Sequence, residues 1–454
     1  MISPARVAAF NILMAVSSGT YDLPAAIAAA RAGLSDERDR ALASDIATGV
    51  QRWRAALDCL ITAFSKRAIA RLDPEIVEIL RLSAYQLLHH TRVPASAVVD
   101  DAVNLAKKAG KRSATGFVNA VLRTISRKRE TLPLPPPPRD PTDRTLALDY
   151  LSVTLSHPRW LTARWYDRVG FAATEAWLRF NNAPAPLTLR RNPLRVTRDE
   201  FTSRLAAQGV TLRPGQFAPD AFIVEEGRPL AGDGLSEGWF VPQDEASQLV
   251  ALLAGPTPGP RVLDTCASPG GKTTELAAMM HNGGAIVACD VRPRRIELLR
   301  HTVAVSGATN IAIVQADLLE PLPFSRPFDT VLVDAPCSGL GTLRRDPDIR
   351  WRRQEADLLG LANAQLRMLG HAATVVAPEG RLVYATCSSE PEENDDVVGR
   401  FLAARPEFEA VDARELSPGL PASVVDGQGH LKTEPDTHGL EGFFGAVFRR
   451  RSQT

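Results

Sequence analysis

Two cysteines lie where their thiols could act as nucleophiles. Cys337 follows a predicted strand in the segment 334–338, DAPCS, and Cys387 follows another in the segment 384–388, YATCS. An isolated cysteine is more often a buried, inert thiol, but a carboxylate and a glycine-rich turn flank Cys337. If the two strands are neighbours in a parallel sheet, both turns lie at the same edge. We therefore expect the two thiols to face one pocket.

Two thiols at one pocket suit chemistry on a pyrimidine ring. Carbon 5 of cytosine is too weak a nucleophile to accept a methyl group, and addition of a thiolate to carbon 6 makes the ring enamine-like. Asp334 is placed to stabilise that addition at ring nitrogen 3. A second thiolate could then remove the proton from carbon 5. The spacing alone does not say which cysteine attacks and which completes the reaction.

The segment 264–273, DTCASPGGKT, is typical of a loop that binds a nucleotide-like cofactor. Gly270 and Gly271 allow the backbone to approach a ligand, and the helix predicted to begin near Lys272 directs free N–H groups at it. A phosphate-binding P-loop would need glycine at position 266, which is Cys266. Pro269 also lacks an N–H donor, so a zwitterionic cofactor with an amino-acid end fits better. The alternative is an ordinary strand-to-helix turn.

Acidic residues follow the predicted strands of the C-terminal part. Asp290 ends the second strand, where a carboxylate commonly accepts hydrogen bonds from ribose hydroxyls, although it could instead cap the next helix. Asp317 follows the third strand, where an adenine edge would lie. Ligands of doubly wound sheets bind outside the carboxyl ends of the strands. The sequence therefore predicts a ligand-binding rim on that edge.

The C-terminal region, 241–454, alternates short β-branched runs with helical patterns, which predicts a parallel, doubly wound α/β sheet of the Rossmann type. The expected strands are 261–264, 285–290, 311–314, 330–334 and 381–386. Residues 1–130 read as successive helices. The proline-rich segment 131–145 predicts a stiff linker, and 146–240 mixes helices and short strands as a small α/β connecting domain.

The helical region is basic. Residues 1–130 contain 19 lysines and arginines against 12 acids, whereas the remainder contains 34 against 40. This asymmetry indicates a polyanion partner, unless the charges simply form a solvated face. Few aromatic residues are interleaved, so we expect contacts with phosphates. The candidates in this region are Lys107, Lys108, Lys111, Arg112, Arg123 and Arg127.

A second basic segment, 343–353, follows Cys337 along the chain and contains five arginines and a tryptophan. Arg344, Arg345 and Arg350 could contact an RNA backbone beside a displaced base. A solvated charged turn would explain the same composition.

Composition bounds the remaining possibilities. Five cysteines at scattered positions predict free thiols rather than a disulfide framework, which favours the cytoplasm. No apolar run is long enough to span a bilayer, so no membrane partner is expected. No residues have the spacing of metal ligands, and we expect no metal. We also expect a monomer.

The segments around Asp264, Asp334 and Cys387 resemble the signature motifs of the RNA 5-methylcytosine methyltransferases, which use S-adenosylmethionine. The late segment 438–444, HGLEGFF, is similar to that family's closing strand motif. The helical region resembles the antitermination factor NusB, with 119–123, NAVLR, as part of the pattern. This combination is similar to the Sun/Fmu (RsmB) branch, which modifies a cytosine of small-subunit (16S) ribosomal RNA. The resemblance covers nearly the whole chain.

The resemblance implies that Cys387 is the nucleophile and that Cys337 acts in product release. DNA cytosine methyltransferases use the cysteine of the Pro-Cys motif instead. The resemblance also implies which residues line the cofactor site: Cys266, Ala267, Ser268, Pro269, Gly270, Gly271, Lys272, Asp290, Asp317 and Asp334. Ser268 replaces the alanine usual in the family. Two alternatives stay open, a transfer-RNA methylase of the same family and a catalytically inert NusB-like RNA-binding or assembly factor.

Overall fold

The computed structural model describes residues 2–255, 259–417 and 419–452. The α-helices are α1 (Pro4–Ser17), α2 (Leu23–Arg31), α3 (Glu37–Ser65), α4 (Pro74–His89), α5 (Ala95–Lys108), α6 (Thr115–Arg127), α7 (Arg144–Asp149), α8 (Arg159–Asn182), α9 (Arg198–Ala207), α10 (Glu245–Ala254), α11 (Gly271–Met279), α12 (Pro293–Ser306), α13 (Ile349–Arg352), α14 (Asp357–Thr374), α15 (Asp395–Ala404), α16 (Ala413–Leu416) and α17 (Pro435–His438). The strands are β1 (Thr188–Arg191), β2 (Thr211–Pro214), β3 (Ala221–Glu226), β4 (Phe240–Pro242), β5 (Arg261–Asp264), β6 (Ala285–Asp290), β7 (Ile311–Gln315), β8 (Phe328–Asp334), β9 (Val376–Thr386), β10 (Phe408–Val411), β11 (Leu431–Thr433) and β12 (Phe443–Arg450).

The chain forms two compact units. Unit 1 comprises Met1–Ala183 together with Leu343–Glu355, and unit 2 comprises Pro184–Thr342 together with Ala356–Thr454. The sequence predicts boundaries near residues 130, 145 and 240, whereas the structure groups α7 and α8 with the N-terminal helices. It also places the second basic segment in unit 1, although that segment follows β8 of unit 2 along the chain.

Unit 1 is helical, as the sequence predicts. Helix α3 begins at Glu37 and is capped by Asp36, whose carboxylate accepts a hydrogen bond from the Arg38 N–H at 2.7 Å. Pro74 occupies the first turn of α4, where its missing N–H costs nothing. The apolar faces of α1 and α3–α6 form one core that includes Ile12, Leu13, Ile46, Val50, Ile79, Leu80, Leu105, Val118 and Leu122.

Unit 2 contains two sheets. The smaller is antiparallel, with strand order β2-β3-β1-β4. Helix α9 covers it through Phe201 and Leu205, which pack with Leu189, Phe222 and Phe240 in one buried cluster. A capping box at Thr197 and Glu200 fixes the start of that helix.

The larger sheet has the order β10-β12-β9-β8-β5-β6-β7, with β11 paired to β12. The five predicted strands β5–β9 are all present and are parallel. The parallel arrangement predicted for these five strands is confirmed. The sheet also contains antiparallel pairs that the sequence did not predict, because β12 runs antiparallel to β9, β10 and β11. The sheet is therefore mixed.

Helices cover both faces of the central strands, so residues on both sides of β8 are buried. Val331, Leu332 and Val333 are consecutive and fully buried, as expected for the interior of a parallel sheet. In the described ranges, no helix combines the length and apolarity required to cross a bilayer. The same ranges contain no group of three or more His, Cys, Asp or Glu side chains arranged to hold a metal ion.

Candidate functional site

The two cysteine turns meet at one edge of the large sheet. Strands β8 and β9 are parallel neighbours, and Asp334 pairs in register with Ala385. Cys337 lies three residues beyond the end of β8, and Cys387 follows β9 directly. Their sulfur atoms are 3.3 Å apart, neither cysteine is in a disulfide, and both side chains are partly exposed. The predicted convergence of the two sulfurs is thus confirmed, since adjacent parallel strands must end at the same edge.

Gly341 joins the two turns and the start of β12. Its N–H donates to the carbonyl of Cys387 at 2.9 Å, and its carbonyl accepts from the Gly442 N–H at 2.8 Å. A Cβ atom at Gly341 would lie 1.9 Å from the Gly442 carbonyl oxygen, so only glycine fits. The late segment 438–444 therefore closes the backbone around the cysteine pair.

A lysine and an aspartate form an ion pair beside the cysteines. Lys272 Nζ lies 2.7 Å from Asp334 Oδ2, and both side chains are largely buried. Burial alone lowers the pKa of the Lys272 ammonium, but Asp334, with smaller contributions from Cys387 and Asp264, raises it overall. The lysine therefore stays positively charged next to the Cys387 sulfur.

The Cys337 thiol holds its proton more firmly than an ordinary cysteine. Its pKa is raised well above its ordinary value, first by its hydrogen bond with Cys387, then by burial and by the negative charges of Cys387 and Glu393. Cys337 is therefore protonated at neutral pH while Cys387 is in contact with it.

The predicted cofactor loop connects β5 to α11. Asp264 ends β5 as a buried carboxylate, and the Thr273 hydroxyl donates to its Oδ2 at 2.7 Å. Burial raises the pKa of Asp264 to about 6, although Thr273 opposes this. Its Oδ1 is buried without a hydrogen-bond partner among the described residues. Gly270 follows with φ +108°, in the left-handed region, immediately before the helix begins.

Asp290 holds the other side of this loop. Its Oδ2 accepts from the Ser268 N–H at 3.3 Å, and the Ala267 N–H donates to the carbonyl of Cys289 at 2.8 Å. Asp290 also accepts from the Arg292 N–H at 3.4 Å. It does not cap the next helix, because Arg292 occupies the N-cap position and no side chain caps that helix end. The contact with a ribose stays a prediction.

Asp317 is exposed beyond β7, where it accepts from the Leu319 N–H at 2.8 Å. Because the sheet order is β8-β5-β6-β7, Asp334, Asp264, Asp290 and Asp317 follow one another along one edge. Burial is the main cause that raises the pKa of the Cys266 thiol in the same loop. These positions make up the rim that the sequence predicts.

Arg190 supports the cofactor loop, and sequence reasoning missed it. It is fully buried on β1 of the small sheet, and its NH2 group donates to the Gly271 carbonyl at 3.2 Å and to the Thr274 hydroxyl at 2.9 Å. Its Nε donates to Gln243 at 2.9 Å. The strand has the sequence TLRR, with two adjacent arginines, so its local pattern does not indicate that Arg190 is buried.

Glu393 is a second residue that the sequence did not indicate. It is fully buried, and it accepts hydrogen bonds from both cysteine turns, at Ser338 and at Ser388. The acidic residues 392–393, which follow Cys387 closely, were the only local indication of this role. Acidic residues near a helix start usually interact with the positive end of the helix dipole instead.

The basic candidates of the helical region lie mainly on the surface. Lys107, Lys108, Arg112, Arg123 and Arg127 are exposed at or near the ends of α5 and α6. Lys111, between those helices, instead pairs with Asp73 at 2.9 Å and Glu75 at 3.4 Å. The exposed group remains the candidate phosphate-binding surface.

The second basic segment is anchored within unit 1. Arg350 is fully buried and donates to the side-chain oxygen of Asn182 at 3.0 Å and to the backbone carbonyls of Ser156 at 3.1 Å and Leu343 at 3.2 Å. The sequence predicts that Arg350 contacts RNA, but its guanidinium is not on the surface. Its N–H groups instead donate to these interior oxygens.

Other residues of this segment also contact unit 1. Arg344 lies over the Phe180 ring at 4.4 Å, and the indole N–H of Trp351 donates to the Gln51 carbonyl at 2.6 Å. Arg344 and Arg345 are partly exposed. The segment therefore serves the packing of unit 1, and only these two arginines retain exposed surface among the three candidates.

Comparison with known proteins agrees with this architecture. The family model described as 16S rRNA methyltransferase RsmB/F matches residues 251–449, that of the NusB family matches 3–127, and that of the RsmF/B-like ferredoxin-like domain matches 157–231. The chain is 35% identical over 446 residues to ribosomal RNA small subunit methyltransferase B of Pseudomonas putida, covering 97% of both chains. It is 34% identical over 431 residues to the Pseudomonas syringae protein of the same name, covering 93% of this chain and 92% of the other.

Two solved structures share the fold. The crystal structure of PH0851 matches with a TM-score of 0.81 and 25% identity and covers 99% of each chain. The NSun6 of Pyrococcus horikoshii, in its structure with SFG, matches with a TM-score of 0.59 and 19% identity, covering 65% of this chain and 99% of the other.

Proposed function

This chain belongs to the 16S rRNA methyltransferase RsmB/F family, whose members methylate ribosomal RNA with a cofactor of the S-adenosylmethionine type, and we propose that it methylates carbon 5 of a cytosine through a covalent cysteine adduct. The observation that carries this proposal is the 3.3 Å separation of the Cys337 and Cys387 sulfurs at the ends of adjacent strands. Methylation at an exocyclic nitrogen needs no nucleophile at carbon 6, and two partly exposed thiols in contact would have no role in it.

Cys387 is the proposed nucleophile. Lys272 carries the positive charge that a Cys387 thiolate would face, and the raised pKa of Cys337 keeps that thiol protonated, so we assign the attack to Cys387. The Cys387 sulfur forms a bond with carbon 6 of the cytosine, and electron density moves to carbon 5. The two side chains must separate to admit the base, which the turns permit because both are partly exposed.

Cys337 is the proposed base for product release. Its pKa is raised chiefly by its hydrogen bond with Cys387, and that cause disappears once the Cys387 sulfur is bonded to carbon 6. Cys337 can then lose its proton to solvent and remove the hydrogen from carbon 5 of the methylated ring. The carbon–sulfur bond breaks, Cys387 leaves as the thiolate, and the starting protonation of the pair is restored. One proton is released for each methyl group transferred.

Asp334 is proposed to orient the base. Ring nitrogen 3 was the expected contact, for which the carboxyl group would have to donate a proton. The ion pair with Lys272 Nζ at 2.7 Å favours a carboxylate that accepts, and we assign it to the exocyclic amino group of the cytosine. This assignment also gives a reason for selecting cytosine over uracil, which presents a carbonyl at the same position.

The rim fits S-adenosylmethionine. It offers carboxylates to the hydroxyl and ammonium donors of such a ligand, and the unpartnered Oδ1 of Asp264 adds to that acceptor-rich set. We propose that the cofactor is held by Cys266, Ala267, Ser268, Pro269, Gly270, Gly271, Lys272, Asp290, Asp317 and Asp334. When bound, S-adenosylmethionine supplies an electrophilic methyl group on its sulfonium.

Release of a ring hydrogen tests the reaction. 16S ribosomal RNA that carries tritium at carbon 5 of its cytosines should release one tritium into water for each methyl group incorporated. Methylation at an exocyclic nitrogen would leave the tritium in the RNA and contradict the proposal. The same assay with transfer RNA tests the alternative substrate. Bisulfite sequencing of 16S ribosomal RNA from cells with and without the protein identifies the methylated cytosine.

A further inference from the structure

One buried carboxylate connects the two cysteine turns. Glu393 Oε1 accepts from the backbone N–H of Ser338 at 2.8 Å, and Glu393 Oε2 accepts from the hydroxyl of Ser388 at 2.6 Å. Each of these serines directly follows a cysteine, Cys337 in one turn and Cys387 in the other. The two serine oxygens are themselves 3.1 Å apart. The same carboxylate thus holds the residue next to each thiol.

The carboxylate is itself fixed from the other side. The Gln365 side-chain amide donates to Glu393 Oε1 at 2.9 Å and to the carbonyl of Pro336 at 3.1 Å. The buried Tyr384 hydroxyl donates to the Glu393 backbone carbonyl at 2.6 Å. A buried charge is costly unless several donors satisfy it. Three donors that converge on one carboxylate make a rigid connection rather than a chance contact.

We propose that Glu393 is a positioning residue that sets the spacing of the two cysteine turns, so that one cytosine is within reach of both Cys387 and Cys337. This inference rests on the proposed function, because it concerns how the two thiols act in turn. Glu393 acts through Ser338 and Ser388. Each of its two carboxylate oxygens accepts a hydrogen bond from one of these serines.

The negative charge of Glu393 has a second consequence at Cys337. It is one of the causes that raise the pKa of that thiol, after the contact with Cys387 and burial. The charge therefore helps to keep the proton on Cys337 until Cys387 has reacted. Spacing and charge can be separated, because glutamine has the shape of glutamate without the charge.

Three variants separate these effects. In Glu393→Gln the side-chain oxygen can still accept from Ser338 and Gln365, and the amide can donate to the Ser388 hydroxyl, which is also able to accept. Glu393→Ala removes both the connection and the charge. Ser388→Ala removes one connection and keeps the charge. Asp396→Asn, on the exposed start of α15, is the matched control for removal of a nearby carboxylate.

The first measurement is the spacing of the thiols. Diamide takes two hydrogens from a pair of adjacent thiols and leaves a disulfide, and peptide mass spectrometry identifies the 337–387 bond. We expect Asp396→Asn to form it at the rate of the unmodified protein and Glu393→Gln to form it at least as fast, because a thiolate is the attacking species. Glu393→Ala and Ser388→Ala should form it more slowly, because a disulfide requires the sulfurs to approach to about 2 Å in a fixed geometry.

The second measurement is the ratio of covalent RNA adduct to methylated product. A positioning role predicts that Glu393→Ala still forms the adduct, releases product roughly a hundredfold more slowly and accumulates adduct. If the substitution only reduced the amount of folded protein, adduct and product would both decrease and their ratio would not change. Binding of S-adenosylmethionine, measured by calorimetry, should be unchanged in the folded variants.

The third measurement is the pH at which Cys337, the second thiol of the pair, loses its proton. Thiolate absorbance is recorded across a pH series for each protein. The absorbance of the same protein carrying Cys337→Ala is then subtracted. We expect this pH to fall in Glu393→Gln and to stay the same in Asp396→Asn. Should Glu393→Ala fail to fold, the Gln and Ser388→Ala variants carry the test.

Unchanged disulfide rate and adduct ratio in Glu393→Ala or Ser388→Ala would overturn the inference. The proposed function fails separately, if the unmodified protein releases no tritium from cytosine carbon 5. A protein that releases tritium but whose Glu393 variants behave normally would therefore retain the function and lose only the positioning role.

Discussion

The ammonium group of Lys272 lies 2.7 Å from a carboxylate oxygen of Asp334, and Cys387 is a further cause that raises the pKa of that ammonium. One lysine therefore connects the cofactor loop, the end of β8 and the end of β9. Its charge holds the Asp334 carboxylate in place and is the charge that the proposed nucleophile Cys387 would face as a thiolate. This lysine distinguishes two cysteines that the sequence treats alike.

Replacement of Lys272 by methionine should slow the reaction of Cys387 with iodoacetamide at a fixed, near-neutral pH. Removal of one stabilising charge corresponds to roughly a tenfold change, or about 1.4 kcal/mol. Mass spectrometry of the Cys387 peptide gives the rate. Lys432→Met, which removes an exposed lysine of the same unit, is the control. An alkylation rate equal to that of the unmodified protein would rule out the lysine as the source of thiolate stabilisation.

Asp264 should make unit 2 less stable as the pH rises. Its pKa is raised to about 6 in the folded protein against an ordinary value of 3.8, so the folded state binds more protons between those values. The free energy of unfolding therefore decreases as the pH increases through that window, by an amount on the order of 3 kcal/mol.

Asp264→Asn removes this titration, so the variant should lose less stability than the unmodified protein between about pH 4 and about pH 7. Urea denaturation at both pH values measures the difference. Equal pH dependence in the two proteins would mean that the carboxyl group titrates normally in the fold.

Arg350→Lys should destabilise unit 1 by about 2 kcal/mol or more. The guanidinium satisfies the Asn182 side chain and the carbonyls of Ser156 and Leu343, and a lysine cannot reach all of these oxygens. Chemical denaturation followed by a helix signal measures the destabilisation. Arg127→Lys, at an exposed position in the same unit, should change stability by less than about 0.5 kcal/mol. A similarly small effect at position 350 would contradict the structural role given to this arginine.

Neutralisation of Lys108 should weaken RNA binding and reduce its salt dependence. Removal of one phosphate-binding charge lowers the slope of log affinity against log salt concentration by about 0.7 to 0.9. Lys111 provides a matched control nearby, because Asp73 and Glu75 already pair with it. Filter binding of 16S ribosomal RNA across a salt series compares Lys108→Ala with Lys111→Ala. Slopes that change equally in both variants, or in neither, would place the RNA surface elsewhere.

Local patterns were sufficient to predict the core of the fold. The β-branched runs of β5–β9 end at, or are closely followed by, an acidic residue or a cysteine. The neighbouring order of β8 and β9 follows from winding rules. Strands β10 and β11 have only four and three residues, too few to show a period. Their antiparallel pairing with β12 depends on contacts between distant segments.

Burial of charged residues was the main feature that local patterns could not predict. The segment 343–353 has the composition of a surface turn, yet Arg350 is buried because backbone carbonyls from α8 and the preceding loop surround it. Arg190 and Glu393 are likewise defined by partners that lie far away in sequence. In each case a charge is compatible with the interior only because several fixed donors or acceptors are present, and these are assembled by the fold.

The covalent RNA adduct identifies which sulfur attacks the base. Cys337→Ala, incubated with 16S ribosomal RNA and S-adenosylmethionine, should accumulate a protein–RNA band that survives denaturing electrophoresis, because Cys387 attacks but the product is not released. Cys387→Ala and the double variant should show no such band. A stable band from Cys387→Ala together with none from Cys337→Ala would contradict the assignment of the two sulfurs.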